Sequence, residues 1–261
     1  MVRSLLFLAG AAALAACAMQ TPVPASLRSE MAPTGMLRVG VNFGNPAIAQ
    51  KDPAGGAPRG VGPELGRELA RRLGVGIEYV TYDSAGKMAD AVKQGAWDVA
   101  FLAVDPERAN EIDFSAPYVL IEGTYMVRED SALQRVEDFD REGTRIAVGN
   151  KTGYDLFLTR TLKNAELVRS DTSQSAIDEF LAGKVDAAAG VKNTLAAAAA
   201  RNFAVRVIMG NFMVIGQASG VPKGRPAAAR YLRDYIEDVK ASGFVAEALK
   251  KSGVTDATVA K

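Results

Sequence analysis

From position 100 the sequence runs Ala-Phe-Leu-Ala-Val-Asp-Pro-Glu-Arg-Ala-Asn-Glu, which sets an arginine, Arg108, just beyond an apolar run and the Asp105-Pro106 break. The apolar run reads as a buried strand, and Asp-Pro as the turn that opens a short helix. A guanidinium in that position presents a planar fork of donors that matches a carboxylate or a phosphate with two parallel hydrogen bonds. On the residues alone a second outlet is open, because Glu107 and Glu111 lie within reach on the same short helix and would make an ordinary surface pair. A second candidate is Gly-Asn-Lys-Thr-Gly-Tyr-Asp, positions 149–155. Thr152 and Asp155 fit a capping box that opens a helix, so the first role of Thr152 is structural. The free N–H groups at the same helix start also make an anion site, with Lys151 beside it.

Other chemistry is narrowed by what the chain lacks. Its 261 residues include no histidine and a single cysteine, Cys17. Ser-His-Asp and Cys-His catalysis, Cys/His zinc sites and dithiol redox chemistry are removed together, and no metal or cofactor is expected. Carboxylates, lysines and tyrosines remain, so an enzyme is disfavoured without being excluded. The formal net charge is +1, and positions 1–16 hold Arg3 and no acid, so the remainder is formally neutral. No basic field points to nucleic acid or to an anionic membrane surface.

The elements that must position these residues alternate between short apolar runs and helical periods. Strands are expected over 37–41, 77–80 and 99–104, with helices over 63–73 and 85–94 between them. In the first helix Leu65, Leu69 and Leu73 share one face, Pro63 suits the first turn and Gly74 the end. A second series follows: strand 145–149, helices 153–162 and 173–181, strand 185–190 and an Ala-rich helix 193–202. The tail, 227–241 and 244–252, is amphipathic and helical. The pattern is α/β with parallel strands covered by helices. Two extended stretches, 118–127 and 211–221, could carry the chain from one lobe to a second and back; one compact domain is the alternative.

The N-terminus has a charged start, an apolar run over 5–14 and small residues up to Cys17, as a secretory signal does. Leu14-Ala15-Ala16-Cys17 also resembles the lipobox of bacterial lipoproteins. Residues 1–16 are therefore expected to be a signal peptide, and 17–35 a tether lipidated at Cys17. An ordinary signal with an unrelated cysteine is the other reading.

From position 35 to about 253 the chain resembles the extracellular solute-binding proteins of bacterial amino-acid-type ABC importers. The matching pieces, in order, are LRVGV, GVGPELGRELARRLGV, VKQGAWDVAF, DPERANEIDFSAPY, FLAGKVDAAAG and PKGRPAAARYLRDYIEDVKASGFVAEAL. The resemblance implies a two-lobed, type II periplasmic-binding-protein fold with two crossover strands as hinge. Lobe 1 would comprise 36–122 and 217–261, and lobe 2 would comprise 123–216. It implies that Arg108 binds the carboxylate of a ligand trapped between the lobes.

This chain also departs from the family pattern. The place of the carboxylate that holds a ligand ammonium, five residues after Asp186, is Val191. The places of the sandwiching aromatic rings are Asn45 and Ala85, and those of two further polar contacts are Asn42 and Ala103. Lys151, Thr152, Tyr154, Phe43 and Lys192 complete the expected ligand-binding set, with Asn193 and Tyr118 as neighbours of it. The implied function is capture of a small carboxylate-bearing solute for an ABC permease by a periplasmic, membrane-anchored monomer. A periplasmic dehydratase of the cyclohexadienyl type and a ligand-sensing receptor are the alternatives.

Overall fold

The computed structural model describes residues 23–261. The signal segment and Cys17 therefore lie outside the described residues. In chain order the elements are α1 (Ala25–Met31), β1 (Met36–Asn42), α2 (Val61–Leu73), β2 (Gly76–Tyr82), α3 (Ala85–Asp90), β3 (Val99–Ala103) and β4 (Ile112–Arg128). They continue with β5 (Arg145–Gly149), α4 (Gly153–Thr161), β6 (Glu166–Ser170), α5 (Ser173–Leu181), β7 (Ala187–Val191), α6 (Lys192–Ala199), β8 (Val205–Val207), β9 (Met213–Pro222), α7 (Pro226–Ala241), α8 (Phe244–Lys251) and β10 (Thr258–Val259).

One sheet runs through the molecule in the order β2-β1-β3-β9-β4-β7-β5-β6, with β8 and β10 also pairing with β4. Strands β1, β2 and β3 are parallel, as are β5, β6 and β7. Two parallel blocks are thus joined through β4 and β9, which run antiparallel to each other. β4 pairs with β9 from Ile112 to Gly123 and with β7 from Gly123 to Val127, so the change of partner falls at Gly123. A side chain there would meet the Phe212 ring at 3.0 Å, which is why the crossing needs a glycine.

The leucine face of α2 behaves as its spacing requires. Leu65, Leu69 and Leu73 are fully buried, and Gly74 closes the helix in the left-handed conformation at φ 65°. Residues 85–94 differ from the single helix expected. α3 stops at Asp90 and a 3-10 turn continues to Gln94, where Gly95 is left-handed. Tightening of a last turn in this way satisfies the final carbonyls.

The reading of 17–35 as a tether fails over its second half. Residues 25–31 form α1, whose Leu27 and Met31 are buried against the core. Their four-residue spacing was the signal for an amphipathic turn. Glu30 fastens α1 at two atoms: its carbonyl accepts from the Arg225 guanidinium at 2.9 Å, and its carboxylate accepts from Ala228 N–H at 2.9 Å in the first turn of α7. Arg225 and Arg38 share Asp98, which is fully buried. Asp98 accepts from Arg38 Nε at 2.9 Å, from Arg38 NH2 at 2.8 Å and from Arg225 at 3.0 Å.

This one carboxylate ties β1, the start of β3 and α7 together. Replacing it leaves two partly buried guanidinium groups without their acceptor. Asp98→Ala is expected to cost about 3 to 5 kcal/mol of unfolding free energy, read as a lowered denaturant midpoint.

Candidate functional site

Arg108 is carried by the turn after β3, and Asp105 builds that turn. The Asp105 carboxylate accepts from Glu107 N–H at 2.9 Å and its carbonyl from Ala109 N–H at 2.9 Å, closing a 3-10 turn over Arg108–Asn110. This geometry aims the arginine inward, and it is 6% exposed. NH1 donates to Ala103 O at 3.0 Å and NH2 to Lys151 O at 2.9 Å, while Nε has no partner. Among the described residues no carboxylate lies within ion-pair distance of it, so the surface pairing with Glu107 or Glu111 is not formed. Burial pushes its pKa down to about 10, against the opposing fields of Asp105, Glu107 and Asp90. The guanidinium keeps unused N–H groups, Nε among them, after its two carbonyl bonds.

The second wall is the start of α4. Thr152 caps it, accepting from Asp155 N–H at 3.2 Å and donating to Gly149 O at 2.9 Å. The expected capping box is half formed. Asp155 reaches back to Lys151 N–H at 2.8 Å and not to Thr152 N–H, which donates to Gly149 O. That reach holds Lys151 in the left-handed region at φ 54°, where a non-glycine residue is strained by about 1 to 2 kcal/mol. The strained turn sets the Lys151 carbonyl where it accepts from Arg108.

Between these walls lies a cavity of about 40 Å³. Asn42, Asn45, Ala85, Ala103, Arg108, Thr152, Tyr154 and Val191 all line it. Sequence reasoning named each of them. It missed Gln217 on β9, Ser173 at the start of α5, and the apolar floor of Ile48, Met88, Phe101, Leu102 and Ile215. A lone glutamine in the otherwise apolar and small-residue strand 213–222 was the available signal for the first. Among the wall residues Arg108 is the single charged group, and none is acidic. Tyr154 donates its hydroxyl to Ser173 Oγ at 2.9 Å; burial raises its pKa, so it stays a neutral phenol. Asn42 Oδ1 accepts from Gly44 N–H at 2.9 Å, whereas Asn45 Oδ1 is buried without a partner.

Five expected contacts lie elsewhere. The Lys151 ammonium turns away to Asp90 at 2.8 Å, and only its carbonyl serves the site. Lys192 pairs with Glu122 on β4 at 2.6 Å. A free lysine beside a surface carboxylate takes that partner before it gives up its water in a cavity. Phe43 lines an outer groove with Lys51 at 5.5 Å above its ring, and Asn193 lines another. Tyr118 is fully buried, edge-on to Phe101 at 5.9 Å between centroids.

The two walls belong to different blocks of the sheet, and three polar contacts join them: Arg108 to Lys151 O, Lys151 to Asp90, and Arg160 to Asp105 at 2.7 Å. Glycines let the backbones meet. A Cβ on Gly86 would lie 2.7 Å from Lys151 Cβ and 2.8 Å from Asn150 O, and one on Gly153 would lie 2.9 Å from Ala103 Cβ. Gly86→Ala improves a helical position by about 0.5 to 1 kcal/mol while wedging the walls apart. The expected result is an unchanged or raised melting temperature with a ligand affinity lowered about tenfold or more by calorimetry.

Comparison with known proteins sets this geometry in context. Residues 37–148 match the bacterial extracellular solute-binding proteins, family 3. An amino-acid-binding protein, AabA, of Dichelobacter nodosus is 22% identical over 212 residues, 79% of each chain. The solute receptor for L-cysteine of Neisseria gonorrhoeae superposes with a TM-score of 0.76 at 23% identity, over 87% of this chain and 92% of that one. An ancestral amino-acid-binding protein, described as a precursor of cyclohexadienyl dehydratase, gives a TM-score of 0.71 at 26% identity, over 85% and 97%. The fold is that of the type II periplasmic binding proteins.

Proposed function

We propose that this chain, a family 3 extracellular solute-binding protein of the amino-acid transporter type, captures a small carboxylate that carries no free α-ammonium group. One observation carries the reading: the cavity wall holds a buried, under-satisfied guanidinium and no acidic side chain. A carboxylate supplies the acceptor that Arg108 Nε lacks and offsets the cost of keeping a cation out of water. An ammonium would enter with nothing to balance it, since Val191 occupies the place of the family's carboxylate.

Capture works by closure in this reading. Residues 36–122 and 217–261 move as one lobe and 123–216 as the other, flexing where β4 and β9 cross. The solute shifts the balance because it touches both walls: Arg108 from lobe 1 and the capped start of α4 from lobe 2 meet only when the lobes are together. Micromolar affinity corresponds to about 8 kcal/mol, within the range of a charged fork plus several neutral hydrogen bonds once water is excluded. The closed protein then presents the solute to an ABC permease, anchored through Cys17 on the periplasmic face of a membrane. A dehydratase of the kind named for the ancestral relative needs a positioned acid, and the wall has no Asp or Glu.

Mass spectrometry of small molecules released from the purified protein, followed by a thermal-shift panel of organic and amino acids, is expected to yield an anion that lacks an α-amino group. Arg108→Ala is expected to weaken that ligand by about 10- to 100-fold, the worth of a hydrogen bond to a charged group; a change under about threefold refutes the anchor. The pH profile follows from the same group. With no histidine, and with Arg108 depressed only to about 10, its cation is intact throughout the neutral range. Affinity for an already ionised carboxylate is expected to stay level from about pH 6 to 9 and to fall as the pH rises past that pKa.

A further inference from the structure

The polar groups opposite the guanidinium are amides, and two of them are held ready without partners. Gln217 is 4% exposed and lines the cavity from β9. Its Cα stands in register between Ala103 on β3 and Val119 on β4, so the amide emerges beside the same Ala103 whose carbonyl holds Arg108. No side-chain hydrogen bond joins Gln217 to another of the described residues, and its small remaining exposure is to the cavity it lines. Asn45 Oδ1 is likewise buried and unpartnered in the same wall. Leaving the Asn45 oxygen buried and unpaired is costly, and a strand this apolar does not need a glutamine for packing.

We infer that Gln217 and Asn45 form a hydroxyl-reading pair, and that the solute is a compact 2-hydroxy carboxylate; this rests on the carboxylate reading above and narrows it. A hydroxyl is both donor and acceptor. It donates to Asn45 Oδ1 and accepts from the Gln217 NH2, using both orphaned groups at once. A 2-keto acid can satisfy Gln217 and leaves Asn45 Oδ1 without a donor. A plain carboxylate brings no donor for Asn45 Oδ1. A 2-ammonium group can donate to Asn45 Oδ1 and to Gln217 Oε1, but its charge faces Arg108 with no acid nearby. Size points the same way. At about 10 to 15 Å³ per water, the ≈ 40 Å³ cavity takes a guest of only a few non-hydrogen atoms.

Four two-carbon acids differ at one substituent and serve as probes: glycolate, glyoxylate, acetate and glycine. Calorimetry on the full mature chain at neutral pH is expected to rank glycolate first, with acetate and glycine weaker by about tenfold or more, since a site built for a hydroxyl rejects analogues without it. Gln217→Met, close in volume and apolar, is expected to bring glycolate within about threefold of acetate. Gln217→Glu, which puts a carboxylate beside the cavity, is expected to weaken glycolate and improve glycine relative to it. A wild-type glycolate-to-acetate ratio below about threefold, or a ratio that survives Gln217→Met, overturns the hydroxyl pair. So does a wild type that binds none of the four, which leaves larger carboxylates to the parent reading. Failure of that parent reading has its own signature: acetate and glycolate both unaffected by Arg108→Ala.

Discussion

The candidate site depends on a guanidinium that is buried without an acidic partner. Arg108 is almost wholly enclosed, and its two protein partners are neutral carbonyls, Ala103 O from one wall and Lys151 O from the other. Carbonyl dipoles soften the desolvation of a cation without neutralising it, which is why its pKa is pulled down to about 10. Much of the neighbouring structure can be understood as holding that arrangement. Asp105 shapes the turn that aims the side chain, and the same carboxylate takes Arg160 from α4. Asp155 bends Lys151 into a strained turn so that its carbonyl faces the cleft. Asp105 and Asp90 are thus committed to a turn and to other cations, and Arg108 has no ion-pair partner among the described residues.

The sheet supplies rigidity on either side of this contact and a simple path between. Parallel blocks need helical crossovers, and those helices bury the apolar faces of α2 and α5. Only β4 pairs with both sides, changing from β9 to β7 at Gly123, while β9 links it to β3. The cavity lies where strand ends and helix starts of the two blocks face each other, the usual place for ligands in open α/β sheets. Tight backbone approach at Gly86 and Gly153 allows the walls to meet through small contacts rather than through a broad apolar interface.

Polar groups were sorted by competition. Lys151 and Lys192 were expected at the site and are drawn off by Asp90 and Glu122, because a lysine ammonium keeps its hydration more cheaply at a surface pair than in a cavity. Arginine tolerates the cavity because its charge is delocalised and its fork is rigid. What remains in the wall is one cation, amides, hydroxyls and apolar floor.

Local signals were legible without coordinates. Period and caps marked α2, the Asp-Pro break marked the turn at Arg108, and the order of pieces marked an α/β chain with two extended crossings. The wall positions Asn42, Asn45, Ala103 and Val191 were named through the family resemblance, and Thr152 and Tyr154 through the helix start they form together with that resemblance. What the chain alone left undecided is which way long side chains turn and which distant groups they meet. Gln217 looked like part of a crossing strand and became a cavity wall only through its register with Ala103. Residues 25–31 looked like tether and became α1 because Arg225 and Ala228, almost two hundred residues later, hold Glu30. Spacing along a chain encodes faces and caps, whereas partners far apart in sequence are decided by the packing that brings them together.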